Sequence, residues 1–142
     1  MNIDFIREWV HRANAGEAGS VFQFVCYYIA FNSLYDEEQG RKEFDRITKC
    51  VKNIHSQYGF NPYDYINADS ELLKGVMSER SHNRTDADKL ARQNIVELYK
   101  SLYYVRCNLF HGAKSMDYAR SKGLVRDCCA ILRSLFNTIG IQ

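Results

Sequence analysis

The run Tyr104-Val-Arg106-Cys-Asn108-Leu-Phe-His111-Gly112 carries the two side-chain types that metal-free cleavage of RNA requires. Arg106 supplies a permanent cation whose planar fork suits phosphate, and His111 an imidazole that takes and gives a proton near neutral pH. In that chemistry the imidazole moves the proton of the 2'-hydroxyl or of the leaving oxygen, and the guanidinium stabilises charge building on the phosphate. Asn108 stands between them as a candidate assistant. Lys114, Tyr104, and the pair Arg80 and Arg84 around His82, which precedes an expected helix start where anions bind readily, are candidate substrate contacts.

Other chemistries lack their residues. His11, His55, His82 and His111 form no H-x-x-x-H or H-E-x-x-H pattern, so the sequence predicts no metal centre and no cofactor. There is no Gly-rich phosphate loop and no G-x-S-x-G elbow. The one acidic cluster, Asp36-Glu37-Glu38, reads as a solvated helix end. With 11 Arg and 4 His in 142 residues, an Arg followed by His after four to six intervening positions is expected about once by chance. Context therefore has to discriminate, and here the match closes the longest amphipathic pattern, beside a glycine and inside the basic third of the chain.

That basic third is measurable. Residues 100–142 contain seven Lys/Arg against two Asp, a net +5, while the whole chain is only +2, leaving −3 on the first 99 residues. Such asymmetry is a footprint for a polyanion, although a solvated helix face carries charge of the same kind. The five cysteines show no C-x-x-C spacing, and Cys128-Cys129 is a vicinal pair poorly shaped for bridging, so reduced, mostly buried thiols are expected. Acids occupy the first residues where a leader would be basic and then apolar, and the longest apolar run, Val21 to Phe31, falls short of the roughly 20 residues a membrane span needs. A cytoplasmic protein with no membrane partner is the expectation.

The elements that must position these residues are helical. One proline in 142 residues, Pro62, and no period-two alternation point to an all-α fold, a single domain over 1–142 with about five to six helices. Ile6, Trp9, Val10 and Ala13 mark a first helix ending near Gly16. A second, over Glu17 to Tyr35, is apolar on nearly every face, which suits the centre of a bundle. Phe44, Ile47, Val51, Ile54 and Tyr58 step by 3 and 4 along a third. A turn-rich loop with Tyr58, Phe60, Tyr63 and Tyr65 follows, aromatics that can stack on bases and are expected to cover the bundle end. A weaker helix is expected over Asp69 to Glu79. Capped by Thr85 or Asp86, a long helix then carries Ile95, Leu98, Leu102, Val105 and Leu109 and stops at Gly112. Ser115 can cap the last, striped by Val125, Cys128, Leu132, Leu135 and Ile139. Asn32, polar within the apolar second helix, must find partners and is expected to satisfy a neighbouring helix end.

The string around Arg106 and His111 resembles the Arg-to-His motif of the HEPN superfamily, helical domains found in many RNases, toxins and antiviral effectors. Upstream, Tyr28-Ile-Ala-Phe-Asn32-Ser-Leu-Tyr35 is similar to a Phe-Asn-x-Leu-Tyr pattern in several prokaryotic branches. In the family Asn, Asp or His often follows the Arg directly, whereas here Cys107 follows and Asn108 comes one later. The resemblance implies a helical bundle, dimerisation, and metal-independent endoribonuclease activity in a toxin–antitoxin or phage-defence setting, with an antitoxin or other protein as partner. Because the family also has inactive members, the alternative is a silent helical module binding nucleotide, RNA or a partner protein.

Helical geometry adds one expectation. At about 100° per residue, Arg106 and His111 lie about 140° apart on a regular helix, so one helix cannot aim both at one phosphate. Either the helix unwinds past Phe110 or a second subunit completes the site. Tyr99, Tyr103 and Phe110, expected as an exposed patch beside the core stripe, favour a homodimer through this helix.

Overall fold

The computed structural model describes residues 1–65, 95–110 and 118–142. Five α-helices run in the order α1 (Ile3–Ala15), α2 (Val21–Tyr35), α3 (Glu43–Tyr58), α4 (Ile95–Phe110) and α5 (Tyr118–Thr138), with a 3-10 turn at Pro62–Tyr65. The described residues contain no strand, and the architecture is an all-α bundle. None of these helices is long and apolar enough to cross a membrane. The expected helix over Asp69–Glu79, the caps at Thr85, Asp86 and Ser115, the stop at Gly112, and Arg80, His82, Arg84, His111 and Lys114 lie outside the described residues.

Helix α2 is the axis of the bundle. It is apolar around its circumference because α1, α3 and α5 all pack on it, burying Phe24, Cys26, Tyr27, Ala30 and Phe31 among others. It begins four residues later than the sequence pattern suggests. Gly19 takes a left-handed φ of 74°, and the Ser20 hydroxyl caps the helix by accepting from the Gln23 amide at 3.1 Å. Gln23 is buried yet satisfied on both sides. Its Oε1 accepts from the Gly19 amide at 2.8 Å, and its Nε2 donates to the Ala13 carbonyl at 3.0 Å, an acceptor that the end of α1 leaves over. One amide side chain thus closes α1 and opens α2.

The remaining helices follow their stripes with two exceptions. In α3, Ile47, Val51 and Ile54 are buried as expected, joined by Cys50, but Tyr58 is 45% exposed because Gly59 turns the chain left-handed (φ 65°) and ends the helix there. No side chain stands near the position a Gly59 Cβ would occupy. Gly59→Ala should therefore cost only the backbone strain, about 1 kcal/mol read as a shift in the urea midpoint. In α4, Leu98, Leu102 and Val105 are buried, and so is Tyr99, at 0% exposure, between Phe31 of α2 and His55 of α3. The exposed aromatic patch expected on this helix is accordingly corrected. Tyr99 belongs to the core of the single chain, Tyr103 packs half-buried on Phe44, and the case for a dimer drawn from their exposure falls away. In α5, Val125, Cys128, Leu132 and Leu135 line the core, with Phe136 stacked on Tyr27 at 6.2 Å.

Phe60 folds back over His55 (ring centroids 5.3 Å) and stacks on Tyr65 at 5.5 Å, covering one end of the α3–α4 pair. Burial lowers the pKa of His55 below its usual value, partly opposed by a hydrogen bond with the Phe60 backbone. The unfolded chain then binds the proton more readily than the folded one, so stability is full above the unfolded value of about 6.5 and declines as pH falls through it. Urea midpoints should drop between pH 7.5 and pH 5, and His55→Asn should remove part of that drop.

Candidate functional site

Arg106 follows the buried Val105 on α4 and so leaves the helix at the margin of its core stripe, facing α2 and α3. Its guanidinium is held from four directions. NH1 donates to the Asn32 Oδ1 at 3.1 Å and lies 3.5 Å from the Glu43 Oε1. The Tyr28 and Tyr103 rings stand 5.0 Å and 5.2 Å from its central carbon, one from α2 and one from α4 itself. A delocalised, weakly hydrated cation tolerates this setting, where an ammonium would not find two ring faces to lie on. A quarter of the side chain, 25%, stays exposed.

The partners are themselves tied together. Tyr35 donates its hydroxyl proton to Glu43, and the Tyr28 and Tyr35 hydroxyls meet at 3.2 Å. Asn32 turns its Nδ2 to Asp36 at 2.6 Å, and Asp36 in turn accepts from the Arg46 Nε at 3.2 Å. Arg only donates and a carboxylate only accepts, so this chemistry sets the amide orientation of Asn32. Burial opposes the charge on Arg106, but Tyr28, Tyr35, Glu43 and Cys107 around it outweigh that and hold its proton more tightly than usual. Burial likewise drives the Tyr28 and Tyr35 hydroxyls well above the ordinary phenol range, so both remain protonated donors at neutral pH.

Sequence explains why these residues meet. Tyr28, Asn32 and Tyr35 are spaced 4 and 3 apart, one stripe of α2 whose side chains all end in a polar group. Glu43 is the first residue of α3, where a carboxylate complements the helix dipole and can reach sideways to α2 and α4. Neither Glu43 nor Asp36 stood out among the candidates, although polar tips at helical spacing along an apolar helix were a readable signal. Asn32 is a correction. Its partners are the Arg106 side chain and Asp36, the residue that caps its own helix, rather than the end of a neighbouring helix.

Of the other candidates, Tyr104 is 45% exposed on α4, next to Tyr103 and Phe44. Asn108 is placed by its backbone near the end of α4. His111 follows α4 directly in the chain but lies, with Lys114, Arg80 and Arg84, outside the described residues. Cys107 is half-buried and free, close enough to hydrogen-bond the Tyr103 hydroxyl, which helps to raise the pKa of that phenol. The structure thus brings together Arg106 and Asn32, with Tyr28, Tyr35 and Glu43 as an unforeseen surround.

Removing one member tests the arrangement. Asn32→Ala leaves a guanidinium hydrogen bond unmade in a part-buried setting, a loss of about 1–2 kcal/mol in urea unfolding. Asn32→Asp should be no rescue, because its second oxygen would face Asp36.

Models of known protein families, curated proteins and solved structures yield no match to this chain.

Proposed function

We propose that this chain is a metal-independent endoribonuclease of the HEPN type, acting in the cytoplasm in a toxin–antitoxin or phage-defence setting. The observation that carries the reading is Arg106, a guanidinium fixed by Asn32 and Glu43, sandwiched by Tyr28 and Tyr103, yet one quarter exposed, five positions before His111. A cation oriented before substrate arrives needs no rearrangement when charge builds on a phosphate, which is how electrostatic catalysis gains most.

In the proposed reaction the 2'-oxygen attacks the adjacent phosphorus and the bond to the 5'-oxygen breaks. His111 moves a proton, taking it from the 2'-hydroxyl or giving it to the departing 5'-oxygen. Arg106 stabilises the phosphate oxygens, and Asn108 assists. Lys114, Arg80, Arg84 and Tyr104 contact the RNA. The products are a 2',3'-cyclic phosphate and a 5'-hydroxyl, and nothing is oxidised or reduced. A homodimer presenting two such sites to a common groove, with an antitoxin or other protein partner controlling it, belongs to the same proposal.

A labelled RNA incubated with the purified chain in excess EDTA should be cut, leaving ends that resist phosphatase until acid opens the cyclic phosphate. Cleavage abolished by chelator, or ends bearing a free 5'-phosphate, would overturn the reading. A second reading, a silent module that binds nucleotide, RNA or a partner, is favoured by the Glu43 carboxylate, which already occupies one side of the guanidinium. Its signature is RNA binding without any cut.

A further inference from the structure

Beside Arg106 the structure exposes a floor of rings that the reaction above does not use. Phe44 of α3 meets Tyr103 and Tyr104 of α4 at centroid distances of 5.0 Å and 5.6 Å, and the two tyrosines are 5.8 Å apart, so the three rings form a closed triangle. Tyr104 is its exposed corner. A cation stands at each of the other two corners. The Lys100 ammonium lies 5.2 Å from the centre of the Phe44 ring, and the Arg106 guanidinium 5.2 Å from that of Tyr103.

We infer that Phe44, Tyr103 and Tyr104 form a stacking platform for one unpaired base of a single-stranded RNA, with Lys100 and Arg106 facing the phosphates on its two sides. This rests on the ribonuclease reading and names the form of substrate it takes. In a single strand each base is flanked by two phosphates, and an aromatic floor bracketed by two cations matches that repeat. A duplex hides its base faces within the stack and offers the platform only phosphates. The charges add a second consequence. Lys100 is 3.7 Å from Glu97 and Arg106 is 3.5 Å from Glu43, so each cation already has a carboxylate beside it. Little net positive charge is left to release counterions, and stacking must supply most of the affinity at this spot.

The test is binding of a fluorophore-labelled single-stranded oligonucleotide, its duplex, and the same strand with one abasic position, to the full chain and to Tyr104→Ala and Tyr104→Phe, each checked for helicity. Tyr104→Ala should weaken single-strand binding about tenfold, Tyr104→Phe should stay within about threefold, and the duplex should bind more weakly to all three. The loss from Tyr104→Ala should persist at high salt. Equal affinity of wild type and Tyr104→Ala, equal binding of duplex and single strand, a loss that vanishes with added salt, or no oligonucleotide binding at all would overturn the platform. Because binding is read without cleavage, the two proposals fail separately. Tyr104-dependent binding with no cut removes the nuclease and keeps the platform, whereas cutting with Tyr104-independent binding does the reverse.

Discussion

His111→Ala and Arg106→Ala each slow RNA cleavage by at least about a hundredfold, the range that loss of a positioned acid–base group or a charge-stabilising donor produces. The two losses have different origins and can be told apart. If His111 is the proton carrier, the wild-type rate follows a titration near the model imidazole value of about 6.5, rising with pH through it if the base step limits and falling if the acid step does. A profile flat from pH 5 to 9 would contradict the assignment. Arg106→Ala also disturbs the fold, since it leaves Glu43 without its cation and empties the space between Tyr28 and Tyr103. Arg106→Lys is therefore the sharper variant. It keeps the charge but loses the planar fork that Asn32 and the two rings hold, so kcat should fall well below wild type while the melting temperature falls less than in Arg106→Ala. Arg106→Lys at wild-type kcat would place Arg106 in the scaffold and not in the chemistry. Mixing Arg106→Ala with His111→Ala chains reads the dimer as well, because only a composite site across two subunits regains activity.

Phe31→Ala should be the most damaging core change on α2. The ring is fully buried and touches three others, Tyr28 at 5.6 Å, Tyr35 at 5.0 Å and Tyr99 at 5.7 Å, the first two nearly edge-on. Truncation loses the transfer free energy of the ring and leaves a cavity between α2 and α4, together about 3–5 kcal/mol. Against a typical total of about 5–15 kcal/mol this removes a large share of the stability, and the melting temperature should fall by roughly 10 °C or more. The same cavity opens beneath Tyr28 and Tyr35, so Arg106 loses its support along with the fold. Phe31→Leu should recover more than half of both losses; a melting temperature unchanged in Phe31→Ala would mean that α2 is not the axis of the bundle.

The helical architecture and most of its core were legible because they depend on periodicity, a property of neighbours in sequence. Ile6, Val10 and Ala13 on α1, Ile47, Val51 and Ile54 on α3, and Leu98, Leu102 and Val105 on α4 are buried where their spacing puts them. Errors fell where a local competitor intervened. The start of α2 was set by the Gly19 turn and the Ser20 cap, and Tyr58 was lost to the core by the left-handed turn at Gly59.

What the sequence alone determined about this protein is therefore its fold class and the candidacy of Arg106, since a cation at the edge of an apolar stripe is visible from residue types and their order. Its surroundings were decided by tertiary structure. Glu43 and Asn32 approach Arg106 from 63 and 74 positions away along the chain, on helices whose rotation about their axes follows from how three apolar stripes pack. Tyr99 shows the same limit from the other side. It stands one position from the core stripe of α4, and α2 and α3 converge on that edge and bury it completely. Periodicity tells which face of a helix is apolar, but how wide a face is covered depends on how many neighbours pack against it and at what angle.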